Sequence, residues 1–284
     1  MITVENLYHS YNENEQYEVK GISFAIEEGE IFGFLGPNGA GKSTTQKILN
    51  GLLPLQKGRA EIAGVDVRQA SRRIFNEIGV AFEQPNLYRK LTGRENLHFY
   101  AGLYDVETVD PLVLLRRFDL EEAANKKVSA YSKGMQQRLV LARSLINSPR
   151  IWFLDEPTSG LDPQSAREVK QLIREKQAEG VTIFLTTHDM HVADELCDRV
   201  AFLNSGEIVA LDSPRALKLA HGERNLRVEH RVNGQVAVEQ LNQKDPADRQ
   251  RLLSLMEAGR VETVHSQEAT LESIFIALTG RELA

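Results

Sequence analysis

The sequence predicts an α/β protein with a smaller α+β domain at its C-terminal end. Three observations carry this. Short, wholly apolar runs such as Ile151-Trp152-Phe153-Leu154 read as strands buried on both faces of a parallel sheet, and they alternate with stretches of helical spacing. A glycine-rich stretch from Gly36 to Thr44 stands between one such strand and one such helix. After about Leu219 the pattern changes to a strand pair, a helix, a strand and a last helix, with no cluster of catalytic residue types.

The glycine stretch reads Gly36-Pro37-Asn38-Gly39-Ala40-Gly41-Lys42-Ser43-Thr44, which fits the phosphate-binding loop G-x-x-x-x-G-K-[ST]. Glu30 to Leu35 supplies the strand before it, and Ser43 to Leu49 the helix after it, stopped at Asn50-Gly51. The glycines let the backbone curl until several N–H groups point at one anion, and the new helix adds its positive end there. Lys42 brings a mobile charge for the β- and γ-phosphates, and Ser43 a hydroxyl for Mg²⁺.

The 284 residues suffice for one large domain and a small one, and 42% hydrophobic with 26% charged residues is an ordinary globular composition. A formal charge of -6, from 34 basic and 40 acidic residues, argues against nucleic acid or anionic lipid as the main partner. Cys197 is the only cysteine, which excludes an internal disulfide and fits a reducing compartment. No apolar run approaches the ~18 residues of a membrane span. The start, Met-Ile-Thr-Val-Glu-Asn, has no signal-peptide pattern. Action at a membrane would need another chain.

Along the chain, Ile2 to Tyr8 and Val19 to Ile26 are expected as strands with a polar turn over Asn12 to Gln16. Tyr11, just before that turn, reads by itself as an ordinary turn tyrosine. A strand pair is expected around Ala63-Gly64, a helix over Ser71 to Glu77 and a strand over Ile78 to Phe82. Glu83-Gln84-Pro85 then breaks regular structure. From Thr92 to about Ala124 apolar residues recur at three and four (Leu97, Tyr100, Ala101, then Leu112, Leu115, Phe118), an inserted helical layer. Tyr131-Ser132-Lys133-Gly134-Met135 leads into a helix over Gln136 to Ile146. Ser132 caps it and Gly134 leaves backbone N–H groups uncovered, a second helix start suited to an anion.

The run Ile151 to Leu154 ends in Asp155-Glu156, carboxylates at a strand end where open α/β sheets bind ligands. Asp155 suits the acid that orders Mg²⁺ through water, and Glu156 suits orientation of a water beside the γ-phosphate. Asp162-Pro163 opens the next helix, which buries Ala166, Val169, Leu172 and Ile173 and ends at Gly180. The strand Val181 to Leu185 delivers His188 to the same sheet edge. A hairpin follows, turning at Asn204-Ser205-Gly206. In the last segment, Asn233-Gly234 joins two strands, Asp245-Pro246 opens a helix burying Leu252, Leu253 and Met256, Arg260 to His265 is a strand, and Leu271, Ile274, Phe275 and Leu278 mark a final amphipathic helix.

Together these motifs resemble the ATP-binding subunits of ATP-binding cassette (ABC) transporters over residues 1 to about 218. Gly36 to Thr44 matches Walker A, Ile151 to Asp155 Walker B, Glu156 the catalytic glutamate, Ser159 to Asp162 the D-loop and His188 the switch histidine. Tyr131 to Met135 matches the family signature in variant form, keeping Ser132 and Gly134. Tyr11 falls at the position of the aromatic that stacks on adenine. The Q-loop glutamine should fall at Glu83, with glutamine only at Gln84; the resemblance leaves both residues as candidates to serve the metal, and similar Phe-Glu-x-Pro stretches in some multidrug-exporter ATPases favour Glu83. The C-terminal stretches Thr270 to Phe275 and Leu278 to Leu283, and the stretch Leu91 to Leu97, resemble bacterial ATPases that export drugs, sodium or antibiotics.

The resemblance implies a P-loop ABC ATPase domain over 1–218, with a helical subdomain over about 84–148, and an accessory domain over 219–284. It implies ATP and Mg²⁺, and a head-to-tail ATPase dimer, a homodimer by preference. In that dimer Ser132 and Gly134 of one copy meet the γ-phosphate held by the other, and Asp162 couples the two sites. It also implies a separate transmembrane permease, with the chain in the cytoplasm on the inner face of the membrane. The rival is an ABC ATPase of translation or repair, disfavoured by the single cassette, the lack of sustained heptads and the acidic charge.

Overall fold

Runs that are apolar without alternation form the middle of a six-stranded sheet, and runs that alternate form a second, antiparallel sheet laid over it. The computed structural model describes residues 1–12, 16–69, 72–222, 225–232, 235–267 and 269–280. Met1–Ser213 form one compact unit, and a second begins at Pro214.

In chain order the first unit holds β1 (Ile2–His9), β2 (Val19–Ile26), β3 (Ile31–Leu35), α1 (Lys42–Leu49), β4 (Lys57–Ile62), β5 (Val65–Asp66), α2 (Arg72–Glu77), β6 (Ile78–Ala81), α3 (Gly93–Ala101), α4 (Pro111–Arg117), α5 (Lys133–Ser144), β7 (Ile151–Asp155), α6 (Pro163–Ala178), β8 (Thr182–Thr187), α7 (Met190–Leu196), β9 (Arg199–Asn204) and β10 (Glu207–Asp212). The large sheet runs β10-β9-β3-β8-β7-β6. It is parallel from β9 to β6 and antiparallel at β10. The antiparallel sheet runs β2-β1-β4-β5.

The two sheets meet through phenylalanines. Phe24 of β2 stacks on Phe32 at 5.4 Å and lies 5.3 Å from Phe34, both of β3. Phe184 of β8 closes the cluster, 5.4 Å from Phe34 and 5.6 Å from Phe153 of β7. Such ring pairs add to the burial of their own area, so the strands that carry the glycine loop and the acidic edge share the best-packed part of the core. Every residue of β3 is buried, as a strand covered on both faces requires.

The helical layer departs from the continuous pattern expected over 92–124. Thr92 starts α3 with a reciprocal capping box to Glu95, but the helix ends at Gly102. Asp110 and Pro111 start α4 afresh, Asp110 accepting from the Leu112 N–H at 2.7 Å. The expected stripe survives the break, since Leu97, Leu115 and Phe118 are all buried. Helix α5 opens at Lys133, ahead of the expected Gln136, because Ser132 accepts the Met135 N–H at 3.2 Å and draws Gly134 into the first turn.

The second unit holds α8 (Pro214–His221), β11 (Asn225–Val232), β12 (Gln235–Asn242), α9 (Pro246–Glu257), β13 (Val261–Gln267) and α10 (Leu271–Thr279). Its antiparallel sheet runs β12-β11-β13. Val232 faces Gln235 across the expected hairpin; Asn233 and Gly234 lie outside the described residues. Leu226, Val228, Leu241 and Leu255 form its core, with Leu252 and Val261 against it. Two expectations fail here. On α9, Leu253 and Met256 are 59% and 57% exposed. Leu252 and Leu255, three apart on one helical face, make the contact instead. On α10, Leu271, Ile274 and Phe275 are buried, but Leu278, in the last turn, is 37% exposed. The first unit ends at Ser213, a few residues before the change of pattern at Leu219. Among the described residues no helix is long and apolar enough to cross a membrane.

Candidate active site

Strand β3 ends at Leu35 and α1 starts at Lys42, so Gly36 to Gly41 make the turn between them. A Cβ on Gly36 would stand 2.3 Å from the Leu203 carbonyl oxygen of β9, so only glycine lets the loop leave the sheet there. Gly41 has φ 105° and caps α1 without any side-chain hydrogen bond, which leaves the N–H groups of the first turn open to an anion. Pro37, Asn38 and Gly39 form the outer rim. Ala40 ties the loop down: its N–H donates to the Pro37 carbonyl at 3.2 Å, and its carbonyl accepts the Gly206 N–H at 3.1 Å. Ser43 and Thr44 lie half-buried in the first turn of α1. Tyr11 stands beside them, its Oη 3.1 Å from Thr44 Oγ1 and its ring edge-on to His9 at 5.0 Å. The ring is largely exposed, so a flat surface borders the loop.

Lys42 is buried, and its Nζ donates to the carbonyls of Gly36 at 2.5 Å and Pro37 at 3.2 Å. Burial pushes the ammonium pKa down; the negative charges of Glu156, Asp155 and Glu83 act against that. The lysine therefore faces an acidic edge.

That edge is built by β7 and β8, parallel neighbours with Asp155 opposite Thr186. The Thr186 hydroxyl donates to Asp155 Oδ1. Burial pushes the Asp155 carboxyl up. The Thr186 bond and the Lys42 charge pull it down, and Glu83 and Glu156 push it further up. Glu156 is only 7% exposed and adopts a left-handed backbone at φ 48°. Its N–H donates to the Thr186 carbonyl at 3.0 Å. Its Oε1 accepts the His188 N–H at 2.9 Å and lies 2.7 Å from His188 Nδ1; its Oε2 accepts the Thr187 hydroxyl at 2.9 Å. With a carboxylate as acceptor, Nδ1 carries the imidazole proton, and Nε2 is left for a ligand.

Lys42, Asp155, Glu156 and His188 are thus gathered at the C-terminal ends of β3, β7 and β8, where open α/β sheets bind their ligands. Glu83 follows β6 at the same edge, and its charge reaches both Lys42 and Asp155. Gln84 is uncharged and exposed and adds nothing of that kind. Three carboxylates against one ammonium leave negative charge to spare. Together with the Ser43 hydroxyl, this all-oxygen set suits Mg²⁺. Among the described residues no group of three or more His, Cys, Asp or Glu forms a metal cage by itself; waters and phosphate oxygens would complete the coordination.

Three predicted residues stand apart. Ser132 and Gly134 open α5 in the helical layer, and among the described residues no hydrogen bond joins either to the glycine loop. Asp162 caps α6, accepting from Gln164 N–H and Ser165 N–H at 3.1 Å and from the Ser165 hydroxyl at 2.6 Å. The bonds from Ser165 hold its carboxyl below the usual range. Sequence reasoning missed Thr186 and Thr187. The available signal was an apolar strand that ends in two hydroxyls directly before the histidine.

A glycine loop opening a helix, set across from an acidic strand end on a parallel sheet, is the geometry of a phosphate-loop ATPase. The ABC transporter family model matches residues 19–159, and an AAA-domain model matches part of the same core, residues 127–194. The fluoroquinolones export ATP-binding protein of Mycobacterium tuberculosis is 50% identical over 284 residues, covering 100% of this chain and 94% of that protein. The Nod factor export ATP-binding protein I of Rhizobium meliloti is 35% identical over 312 residues, covering 99% of this chain and 89% of its own length. A solved ATP-binding cassette, dimeric in a post-hydrolysis state with ADP and Pi, matches at TM-score 0.69 and 30% identity, over 75% of this chain and 98% of that one. The chain belongs to the ABC transporter family, as an ATP-binding and ATP-hydrolysing subunit. The translation and repair reading finds no support among these relatives.

Proposed function

We propose that this subunit powers export through a separate membrane-spanning permease, as two copies closing head to tail on two ATP molecules. The observation that carries the ATPase chemistry is Glu156, buried and held at the sheet edge facing the Lys42 loop. In this reading the first-turn N–H groups of α1 and Lys42 bind the β- and γ-phosphates, and Tyr11 stacks on the adenine. Ser43, Asp155 and Glu83 would hold Mg²⁺ together with the phosphates, and the ion would neutralise their charge. Glu156 takes the proton of a water whose oxygen bonds to the γ-phosphorus. The bond from that phosphorus to the bridging oxygen breaks, giving ADP and inorganic phosphate. His188 Nε2 contacts the γ-phosphate.

Among the described residues no hydrogen bond joins Ser132 or Gly134 to the loop of their own chain; in the paired arrangement a second copy would bring that helix start to the phosphate. The dimeric solved cassette points the same way. An exposed aromatic pair in the helical layer, Tyr88 and Phe99 at 4.9 Å, supports docking of a permease helix near Glu83. The full-length similarity to export proteins for fluoroquinolones and Nod factor supports export of a small organic molecule from a position on the inner face of the membrane.

Glu156→Gln tests the reading. Phosphate release is expected to fall by roughly 10²–10⁴-fold while ATP still binds, and light scattering is expected to show a shift from monomer to dimer on adding Mg-ATP. Turnover near wild type would remove Glu156 from this role. A monomer that binds ATP without pairing would point to a different partner subunit.

A further inference from the structure

The Asp155-Glu156 pair on β7 is matched by a Thr186-Thr187 pair on β8, and each carboxylate receives one of the hydroxyls. Thr187 lies at the strand end, 1% exposed. Its oxygen accepts the Asp189 N–H at 3.0 Å. A hydroxyl has a single hydrogen, so with the oxygen already accepting, that hydrogen is committed to Glu156 Oε2 at 2.9 Å. The other carboxylate oxygen, Oε1, takes both bonds from His188. The two oxygens are therefore held by different means. Oε2 is held by a buried side chain that is itself pinned by the backbone, and Oε1 partly by an imidazole that is half-exposed.

We propose that Thr187 is a positioning residue for ATP hydrolysis. It anchors Oε2 of Glu156, so that Oε1 becomes the atom that meets the attacking water when the His188 ring turns from Glu156 toward the nucleotide. This rests on the assignment of Glu156 as the base. Glu156 sits at φ 48°, a region that L side chains visit at a cost. Once the imidazole leaves, the Thr187 hydroxyl still holds Oε2, while Oε1 keeps only the His188 backbone N–H. Thr187 touches neither nucleotide nor water in this scheme and acts through Glu156 alone.

Thr187→Val keeps the β-branched shape and removes the hydroxyl; Thr187→Ser keeps the hydroxyl. The full-length chain, its Glu156→Gln variant and the double variant are assayed for phosphate release with Mg-ATP over a range of ATP concentrations. Thr187→Val is expected to lower kcat by roughly 10- to 100-fold, the scale of a small misplacement of a catalytic group. KM for ATP should be unchanged, Thr187→Ser should recover most of kcat, and Thr187→Val should have no further effect in the Glu156→Gln background. Wild-type kcat in Thr187→Val with an inactive Glu156→Gln overturns the proposal and leaves Glu156 as the base. A further fall in the double variant, or a loss in Thr187→Ser equal to that in valine, also overturns it, because Thr187 would then act through the fold. Wild-type turnover in Glu156→Gln removes the assignment on which the proposal rests.

Discussion

Asp155 is an ionisable group kept in a place that disfavours its charge. Burial raises its pKa, with Glu83 and Glu156 adding to the effect. A carboxyl raised in the folded state costs nothing below the pKa of the unfolded chain. Its cost grows as pH climbs from there to the raised value and stays in full above it. Asp155→Asn, which can still accept the Thr186 hydroxyl, is therefore expected to raise the melting temperature of the nucleotide-free protein at neutral pH and to leave it unchanged below the ordinary aspartate range. Scanning calorimetry at both pH values checks this. Lys42 carries the mirror-image cost, its pKa lowered by burial; that cost is present at neutral pH and is relieved as pH rises toward the ordinary lysine value. Lys42→Ala is expected to weaken ATP binding by roughly 10- to 100-fold, the loss of a charge-assisted contact, as titration calorimetry would show. At this scale the sequence was legible wherever chemistry restricts the residue type: a lysine after a glycine loop, or a carboxylate pair at a strand end. Thr187 escaped because a hydroxyl's role depends on which carboxylate it faces, and no spacing encodes that.

At the scale of elements, starts and stops could be read because they are local. Asp162-Pro163 and Asp245-Pro246 each begin a helix with the aspartate accepting from the backbone; Asp110-Pro111 begins α4 in the same way, a start hidden by the helical spacing that runs on either side of it. Ser132 does the same for α5, and Ser132→Ala is expected to cost about 1 kcal/mol of stability in urea unfolding. Which side of a helix is covered was less legible, since on α9 Leu252, Leu253, Leu255 and Met256 spread over an arc of about 160°, wider than the face that Leu252 and Leu255 share. The sheet it meets decides. Leu255→Ala is expected to destabilise the C-terminal unit by about 2–4 kcal/mol, and Leu253→Ala to stay within about 0.5 kcal/mol of wild type. A spectroscopic probe confined to that unit would separate them. A reversed order would place the core on the other face of α9.

At the scale of the molecule, each unit has a core of its own, and all four residues gathered at the sheet edge come from the first. A chain ending at Ser213 is expected to keep the ATP affinity of the full chain, measured by the same calorimetry; a loss above tenfold would show that the second unit supports the site. The order of strands was beyond reach of the sequence. Alternation of strand and helix predicts a parallel sheet, but not that β8 lies between β3 and β7. Nothing in Val181 to Leu185 distinguishes a central strand from its neighbours, because every strand covered on both faces is written in the same apolar residues.

That order has a consequence for the newly made chain. The strand that carries the glycine loop and the strand that carries the acidic pair do not touch; β8, synthesised after both, is the wedge between them. A polypeptide emerging from the ribosome therefore has both halves of its nucleotide site long before it has the site. ATP stabilises only the completed arrangement, so its capture marks the moment β8 enters the sheet. Nucleotide retention by arrested chains of increasing length would appear as a step only after β8 has cleared the exit tunnel, and in full once Leu203 and Gly206, which seat the loop, have followed it.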